Sequence, residues 1–488
     1  MSRYRRASFA LGLIAAGVAA TAALTPGAST TSSQYPDFLQ PCTAPGMPRD
    51  GLCGTYEVWE DRQARTGRRI GLNVVVIPAH DPQPELGAWT YLMGGPGGAA
   101  TPSAQGLANG WQRESMDILL VDQRGTGDSN PLMCDLSRPD DTAQSYLDAP
   151  FGRIDEIRAC ADELGQEADL RLYTTPIAAD DLNEIREALG YEYLNVNGGS
   201  YGSRAALVYM RRHPETVRTA IISGIAPIKF TNPLYHSSEA QKALETTLAE
   251  CAATPECAEA FPDLRGKFNE LIGRLDRAPV EVEIQDPDTG LPTTVMLDKA
   301  GFAEALRVFM YYMPRARRVP LLIHRAWEGD FTPFVDAGVS SNRGIRGLLA
   351  LGMLMSVVCA EDIPRIDPGM IDAVTSDTFL GDERVRTQMA ACETWPRGAV
   401  PDNYGEPVDV DVQTLILSGT LDPVTGPDWG DEVAANLPNS VHLVVPGAHG
   451  VTGACVQSVT QNFVAAGSVE GLDLSCAADV ELPPFALR

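Results

Sequence analysis

The residues of this chain that could do covalent chemistry gather around one serine. Ser200 lies in Gly198-Gly199-Ser200-Tyr201-Gly202. Small residues two before and two after it are what a tight strand-to-helix turn needs, because side chains there would collide. Such a turn lifts a hydroxyl out of a sheet edge and sets it at a helix N-terminus, where developing negative charge is favoured. A nucleophilic serine needs a base and an orienting acid. Beyond residue 400 the chain carries His442 and His449. His442 falls inside the apolar run Val441–Val445 and reads as a sheet residue. His449 sits in Gly447-Ala448-His449-Gly450, a loop just past that run, and reads as the base. Asp422, within Gly419-Thr420-Leu421-Asp422-Pro423, is the expected acid, holding the imidazole's tautomer and stabilising the imidazolium. Asp428 and Asp431 are rivals that fall into the helical pattern after it. Gly94-Gly95-Pro96-Gly97-Gly98 exposes backbone N–H groups, and those of Gly95 and Tyr201 are the expected oxyanion donors. A phosphate-binding loop would need a GK[ST] ending or GxGxxG opening a helix, and the stretch has neither.

These residues need strands to end beside one another. Strand-length apolar runs bounded by Gly, Pro or Asp occur at Leu72–Ile77, Trp89–Met93, Ile118–Asp122, Tyr193–Val196, Thr219–Ser223, Thr414–Ser418 and Val441–Val445. Helical patterns separate several of them. The clearest is Ala179–Leu189, with Asp180 and Asp181 in its first turn and Gly190 as a stop. The alternation predicts an α/β fold: a mainly parallel sheet with helices on both faces. Residues 228–400 break it with helices over Ser238–Ala253, Lys267–Leu275, Lys299–Tyr312 and Arg343–Val358 and a hairpin through Val280–Leu297, and read as a largely helical cap above the sheet's carboxyl edge. Residues 30–60 read as an irregular arm. The expected division is a signal peptide over 1–28, a core over 29–227, the cap over 228–400 and the rest of the core over 401–488.

Composition narrows the setting. With 488 residues and 44% hydrophobic, the chain can bury a large core. A net charge of −26, from 38 basic and 64 acidic residues, repels phosphate backbones and anionic lipid, so no nucleic-acid partner is expected. Arg3, Arg5 and Arg6 precede an apolar run from Phe9 to Leu24, the pattern of an export signal, with an uncleaved N-terminal anchor as the alternative; after removal of the signal no stable membrane association is expected. Ten cysteines agree with a secreted, extracellular or periplasmic protein; paired consecutively they would close five short loops, a connectivity the sequence leaves open. No CxxC or HExxH spacing occurs, and the expected chemistry uses no metal and no cofactor.

Five motifs in order carry a resemblance: Gly94-Gly95-Pro96-Gly97, Asp122-Gln123-Arg124-Gly125-Thr126-Gly127-Asp128-Ser129, Gly198 to Gly202, Leu421-Asp422-Pro423-Val424-Thr425, and Gly447 to Gly450. They resemble the prolyl-aminopeptidase and tripeptidyl-aminopeptidase group of serine peptidases in the α/β-hydrolase superfamily. The family often carries His before its GGPG, where this chain has Met93. The resemblance implies a secreted exopeptidase acting on peptides with a free N-terminus, with a helical cap recognising the amine. In Cys359-Ala360-Glu361-Asp362, similar to a segment of secreted members, it makes Glu361 the expected amine anchor and Asp362 the next; a solvated acidic loop is the plainer reading. Thr425 is expected to shape the acid loop, and Asp122 to Ser129 to brace the oxyanion loop, with Arg124 and Asp128 pairing locally. A secreted carboxylesterase or lipase with the same triad, or a non-catalytic binding protein on the same fold, stays open as an alternative.

Overall fold

The computed structural model describes residues 35–42, 47–134, 143–148 and 152–488. The expected signal peptide lies outside the described residues. The strands are β1 (Leu39–Pro41), β2 (Leu52–Trp59), β3 (Arg69–Ile77), β4 (Ala88–Leu92), β5 (Ile118–Val121), β6 (Leu194–Gly199), β7 (Val217–Ser223), β8 (Val280–Gln285), β9 (Pro292–Leu297), β10 (Thr414–Gly419) and β11 (Ser440–Val445). Nine form one sheet in the order β1-β2-β3-β5-β4-β6-β7-β10-β11; β8 and β9 form a separate hairpin. From β5 across to β11 neighbours run parallel, while β1, β2 and β3 join antiparallel at one edge.

The parallel strands are covered on both faces, which is why they read as apolar runs rather than alternations. Successive residues nevertheless divide between two cores. Val74, Val76, Ala220, Ile222 and Ile416 pack on one face, and Val75, Ile77, Ile221, Leu415 and Leu417 on the other. Every residue of β10 is buried. The irregular arm expected over 30–60 instead supplies β1 and β2. Their burial is partial, as suits a sheet edge, and Gly54 with Glu57 breaks any apolar run.

One helix opposite the sheet starts earlier than its pattern suggests, at Thr175, and runs to Ala188 with Pro176 in its first turn. Asp180 and Asp181 therefore fall in its second turn, where Asp181 is buried. Between β7 and β10 the chain forms the helices His236–Ala253, Leu264–Arg277, Lys299–Met310, Val319–Trp327, Thr332–Leu348, Leu351–Val357 and Glu383–Cys392. Most of these, with the hairpin, close an apolar core of their own, including Phe268, Phe302, Leu306 and Phe334. The single helix expected over Arg343–Val358 is broken at Leu349 and Ala350. There backbone groups leave the helical pattern: Ala350 N–H donates to Gly97 O (3.0 Å) and Gly352 N–H to Leu132 O (2.8 Å). This joint ties the inserted helices to the glycine-rich loop after β4.

The cysteines pair consecutively: Cys42–Cys53, Cys134–Cys160, Cys251–Cys257, Cys359–Cys392 and Cys455–Cys476. Disulfides of this density belong to oxidising compartments. No helix among the described residues is long and apolar enough to cross a membrane.

Candidate active site

Because β4, β6, β7, β10 and β11 run parallel, their carboxyl ends share one edge of the sheet, and the expected residues follow those ends. Ser200 stands between β6 and the helix Tyr201–Arg212 with φ 58° and ψ −129°. A serine held at positive φ costs about 1–3 kcal/mol, and such strain persists only where the surroundings impose it. Here they do. A Cβ on Gly198 would come within 2.2 Å of Gly202 O, and one on Gly202 within 2.0 Å of Leu92 O, so only glycine lets the turn close against β4. Ser200 N–H donates to Ser223 O (2.9 Å), and its carbonyl accepts from Ser203 N–H (2.9 Å) and Ser203 Oγ (2.6 Å).

Asp422 follows β10 and is fully buried. Its Oδ1 accepts from the N–H groups of Val424 (2.8 Å) and Thr425 (3.0 Å), and its Oδ2 from Thr425 Oγ1 (2.9 Å). The loop Leu421 to Thr425 thus solvates a carboxylate that water cannot reach, and Thr425 shapes it as expected. Both oxygens also lie against His449 Nδ1, at 3.0 and 2.9 Å. A carboxylate there makes Nδ1 the protonated nitrogen and leaves Nε2 as the free base. The ring packs beside Gly224, where a Cβ would lie 3.0 Å from His449 Cε1. Since Ser223 O is the acceptor for Ser200 N–H, the imidazole and the serine turn meet at the end of β7.

The loop after β4 is held from both sides. Asp122, buried after β5, accepts from Thr101 N–H (2.8 Å) and Thr101 Oγ1 (2.9 Å) at the loop's far end. Gly95 has φ 127°, and a Cβ on neighbouring Gly94 would lie 3.1 Å from Ser200 Cβ. Tyr201 N–H, first in its helix, belongs to the donors a helix cannot satisfy internally. Gly94 therefore lies against Ser200, with Gly95 next to it in the loop and Tyr201 next after the serine in the chain.

Two expectations need correction. Arg124 does not pair with Asp128, which is exposed; its guanidinium forks onto Asp181, with Nε to Oδ2 at 2.6 Å and Nη2 to Oδ1 at 2.9 Å. Glu361 and Asp362 are neither a solvated loop nor open to a substrate's amine, because both are buried and bonded to protein groups. Glu361 accepts from Thr175 N–H (2.6 Å), Thr175 Oγ1 (2.8 Å) and the Tyr404 hydroxyl. Asp362 Oδ1 accepts from Arg204 Nη1 (2.7 Å) and Asn232 N–H (2.9 Å).

The wall facing His449 went unread in the sequence. The Tyr311 ring meets the imidazole edge-on with centroids 5.3 Å apart. Arg307 Nη1 donates to the Tyr311 hydroxyl (2.5 Å), and its Nε to Glu304 Oε2 (2.8 Å). The spacing 304, 307, 311 is one helical stripe, the signal that could have found it. Burial, above all, holds His236 well below its ordinary pKa, and Arg384, Arg307 and His449 push the same way. Among the described residues no cluster of three or more His, Cys, Asp or Glu could hold a metal ion.

A parallel sheet with a strained serine turn after β6, an acid after β10 and a histidine after β11 is the α/β-hydrolase arrangement, and the chain has that fold. The family model for the alpha/beta hydrolase fold matches residues 91–255, and that for TAP-like protein matches residues 377–476. The serine protease Hip1 of Mycobacterium tuberculosis (strain ATCC 25618 / H37Rv) is 26% identical over 230 residues, covering 43% of this chain and 43% of that protein. The tripeptidyl aminopeptidase of Streptomyces lividans is 30% identical over 201 residues (37% and 36%), and the proline iminopeptidase of Neisseria gonorrhoeae 30% over 135 residues (28% and 31%). The chain spans about half the length, or less, of the curated relatives it matches.

Proposed function

We propose that the protein is an exported serine aminopeptidase that cleaves peptides near a free N-terminus through an acyl-enzyme on Ser200. The observation that carries the chemistry is the His449–Asp422 pair, with its saturated buried carboxylate, meeting the strained Ser200 turn at one sheet edge. His449 Nε2 takes the hydroxyl proton as Ser200 Oγ attacks the scissile carbonyl. Asp422 keeps the proton on Nδ1 and stabilises the imidazolium. The N–H groups of Gly95 and Tyr201 receive the oxyanion; one such donor is typically worth about 10² to 10³ in rate. The imidazolium then protonates the leaving amine, and a water attacking the ester repeats the cycle.

Peptide substrates are favoured over lipid esters by two things. The relatives are named as a protease, an aminopeptidase and an iminopeptidase. The group beside His449 is the Tyr311 ring, whose hydroxyl is bonded to Arg307, a polar aromatic neighbour rather than the aliphatic surface a long acyl chain would need. The free N-terminus rests on the named relatives, since the carboxylates expected to bind it are both buried, Glu361 bonded to Thr175 and Tyr404 and Asp362 to Arg204 and Asn232 through Oδ1. Export is supported by the five disulfides together with the signal-like N-terminal sequence. Chromogenic peptide amides with free and blocked N-termini, compared with simple esters, test the assignment. Free-amine amides should turn over at least about tenfold faster than blocked ones, a discrimination worth 1.4 kcal/mol; equal turnover of blocked peptides and esters would remove the aminopeptidase reading.

A further inference from the structure

Glu361 and Asp362 are expensive residues to bury, and what they grip is the first turn of the helix that carries Ser200. Asp362 holds Arg204 directly, through the 2.7 Å bond to Nη1. Glu361 reaches Tyr201 through one intermediary. The Tyr201 hydroxyl lies 2.7 Å from Thr175 Oγ1, and Gln123 Nε2 donates to it at 3.1 Å. Thr175 Oγ1 in turn donates to Glu361 Oε2. The hydrogens order themselves along this chain. Gln123 gives to Tyr201, Tyr201 to Thr175 and Thr175 to Glu361, with Tyr404 giving to the same carboxylate from the other side.

The participants come from five separate parts of the chain: the loop after β5, the start of the helix Thr175–Ala188, the nucleophile helix, the π-helical turn Val358–Asp362 and the segment before β10. All but Gln123 are buried. They adjoin an apolar cluster containing Tyr201, Ala205, Leu354, Val358 and Trp395. A buried polar network next to such packing costs stability unless every member is paired, and apolar side chains would fill the space at less cost. Burial pushes the Glu361 carboxyl upward from its ordinary value, while Tyr404, Thr175 and Arg204 oppose that push. The network's far end is what gives it a use: Tyr201 supplies the backbone N–H beside Ser200.

We propose that Glu361 is a positioning residue of the oxyanion site, fixing the Tyr201 N–H through Thr175 rather than binding the substrate's amine. The inserted helices hold the opposite donor as well, since Ala350 N–H is bonded to Gly97 O two residues beyond Gly95. Both oxyanion donors are thereby referred to one short stretch, residues 350–362. The inference rests on Ser200 being the nucleophile.

The test uses Tyr201→Phe, which removes one hydroxyl, and Glu361→Gln, which puts an amide donor where the chain ends in an acceptor. It is read on the full protein with a free-amine peptide amide and a serine-directed phosphonate. In both variants kcat should fall about tenfold with KM within about twofold, and phosphonate labelling should slow in parallel, because its transition state also places negative charge in that hole. Thr175→Val should show the same split, and Thr175→Ser should recover most of the lost kcat. A rise in KM with kcat unchanged would overturn the proposal and restore Glu361 to the amine. Wild-type kcat and labelling with only a lower melting temperature would overturn it too. Failure of the phosphonate to label Ser200 in the wild-type protein would instead remove the underlying nucleophile assignment.

Discussion

Beside Ser200, His449 and Asp422 the sheet carries a second Ser–His–Asp set. His442 on β11 has Nε2 2.9 Å from Ser418 Oγ on β10 and Nδ1 2.8 Å from Asp431 Oδ1 on the helix Pro427–Ala434. By hydrogen bonds alone it is a complete triad. Its serine is fully buried inside a strand, with no glycine turn to expose it and no helix starting until Pro427 to offer N–H groups. Its acid is 74% exposed, whereas Asp422 is fully buried with three donors besides the histidine. Gly430 completes the contrast: a Cβ there would lie 2.4 Å from His442 Nε2, so the ring fills a slot that packing has made for it. A hydrogen-bonded Ser–His–Asp triple is therefore not by itself a catalytic site. What sets the first apart is a serine lifted to the sheet edge, donors waiting for an oxyanion, and an acid shielded from water.

The sharpest break of this comparison is at the serines. Ser200→Ala should lower kcat/KM on a peptide amide by about 10⁵-fold or more and abolish phosphonate labelling, while Ser418→Ala stays within about twofold on both. Lost labelling in Ser418→Ala would exchange the two assignments. The acids come next. Asp422→Asn should cost about 10⁴-fold in kcat, because the amide favours the wrong imidazole tautomer. Asp431→Asn, on an exposed group, should leave kcat within about twofold. Equal losses in the two Asn variants would mean that shielding of the acid is not what distinguishes the sets.

The sequence told the two sets apart for local reasons. Glycines two before and two after Ser200 announce a turn that only glycine permits, and a histidine inside an apolar run announces a strand residue. Those signals span a few residues, as do the strands of the parallel sheet, whose double burial writes continuous apolar runs. Partnerships across the chain left no such mark. Arg124 meets Asp181, 57 positions away, instead of the adjacent-looking Asp128, and Glu361 meets Thr175 across 186 positions. An acidic pair beside a cysteine reads as a loop until the helix it grips is known. Strands β1 and β2 leave little mark because β1 is only three residues long and β2 is mostly half-buried, with Gly54 and Glu57 interrupting its apolar residues, and the break at Leu349–Ala350 because its cause is a bond to Gly97.

The smallest effect concerns what the second set is for. His442→Ala removes the partner of Ser418 Oγ, leaving a hydroxyl buried in β10 with its bond unmade, a loss of about 1–3 kcal/mol. Denaturant unfolding should show that loss as a lower midpoint. Asp431→Asn should move the midpoint far less, since an exposed pair is worth about 0–1 kcal/mol. Both variants, once folded, should keep wild-type kcat and labelling rate. Stability lost without activity would mark His442 as a packing histidine that happens to touch a serine and an aspartate. Activity lost a hundredfold with an unchanged midpoint would instead couple the second set to the first, through the β10–β11 pairing in which Ser418 faces Val444 and His442 faces Ile416.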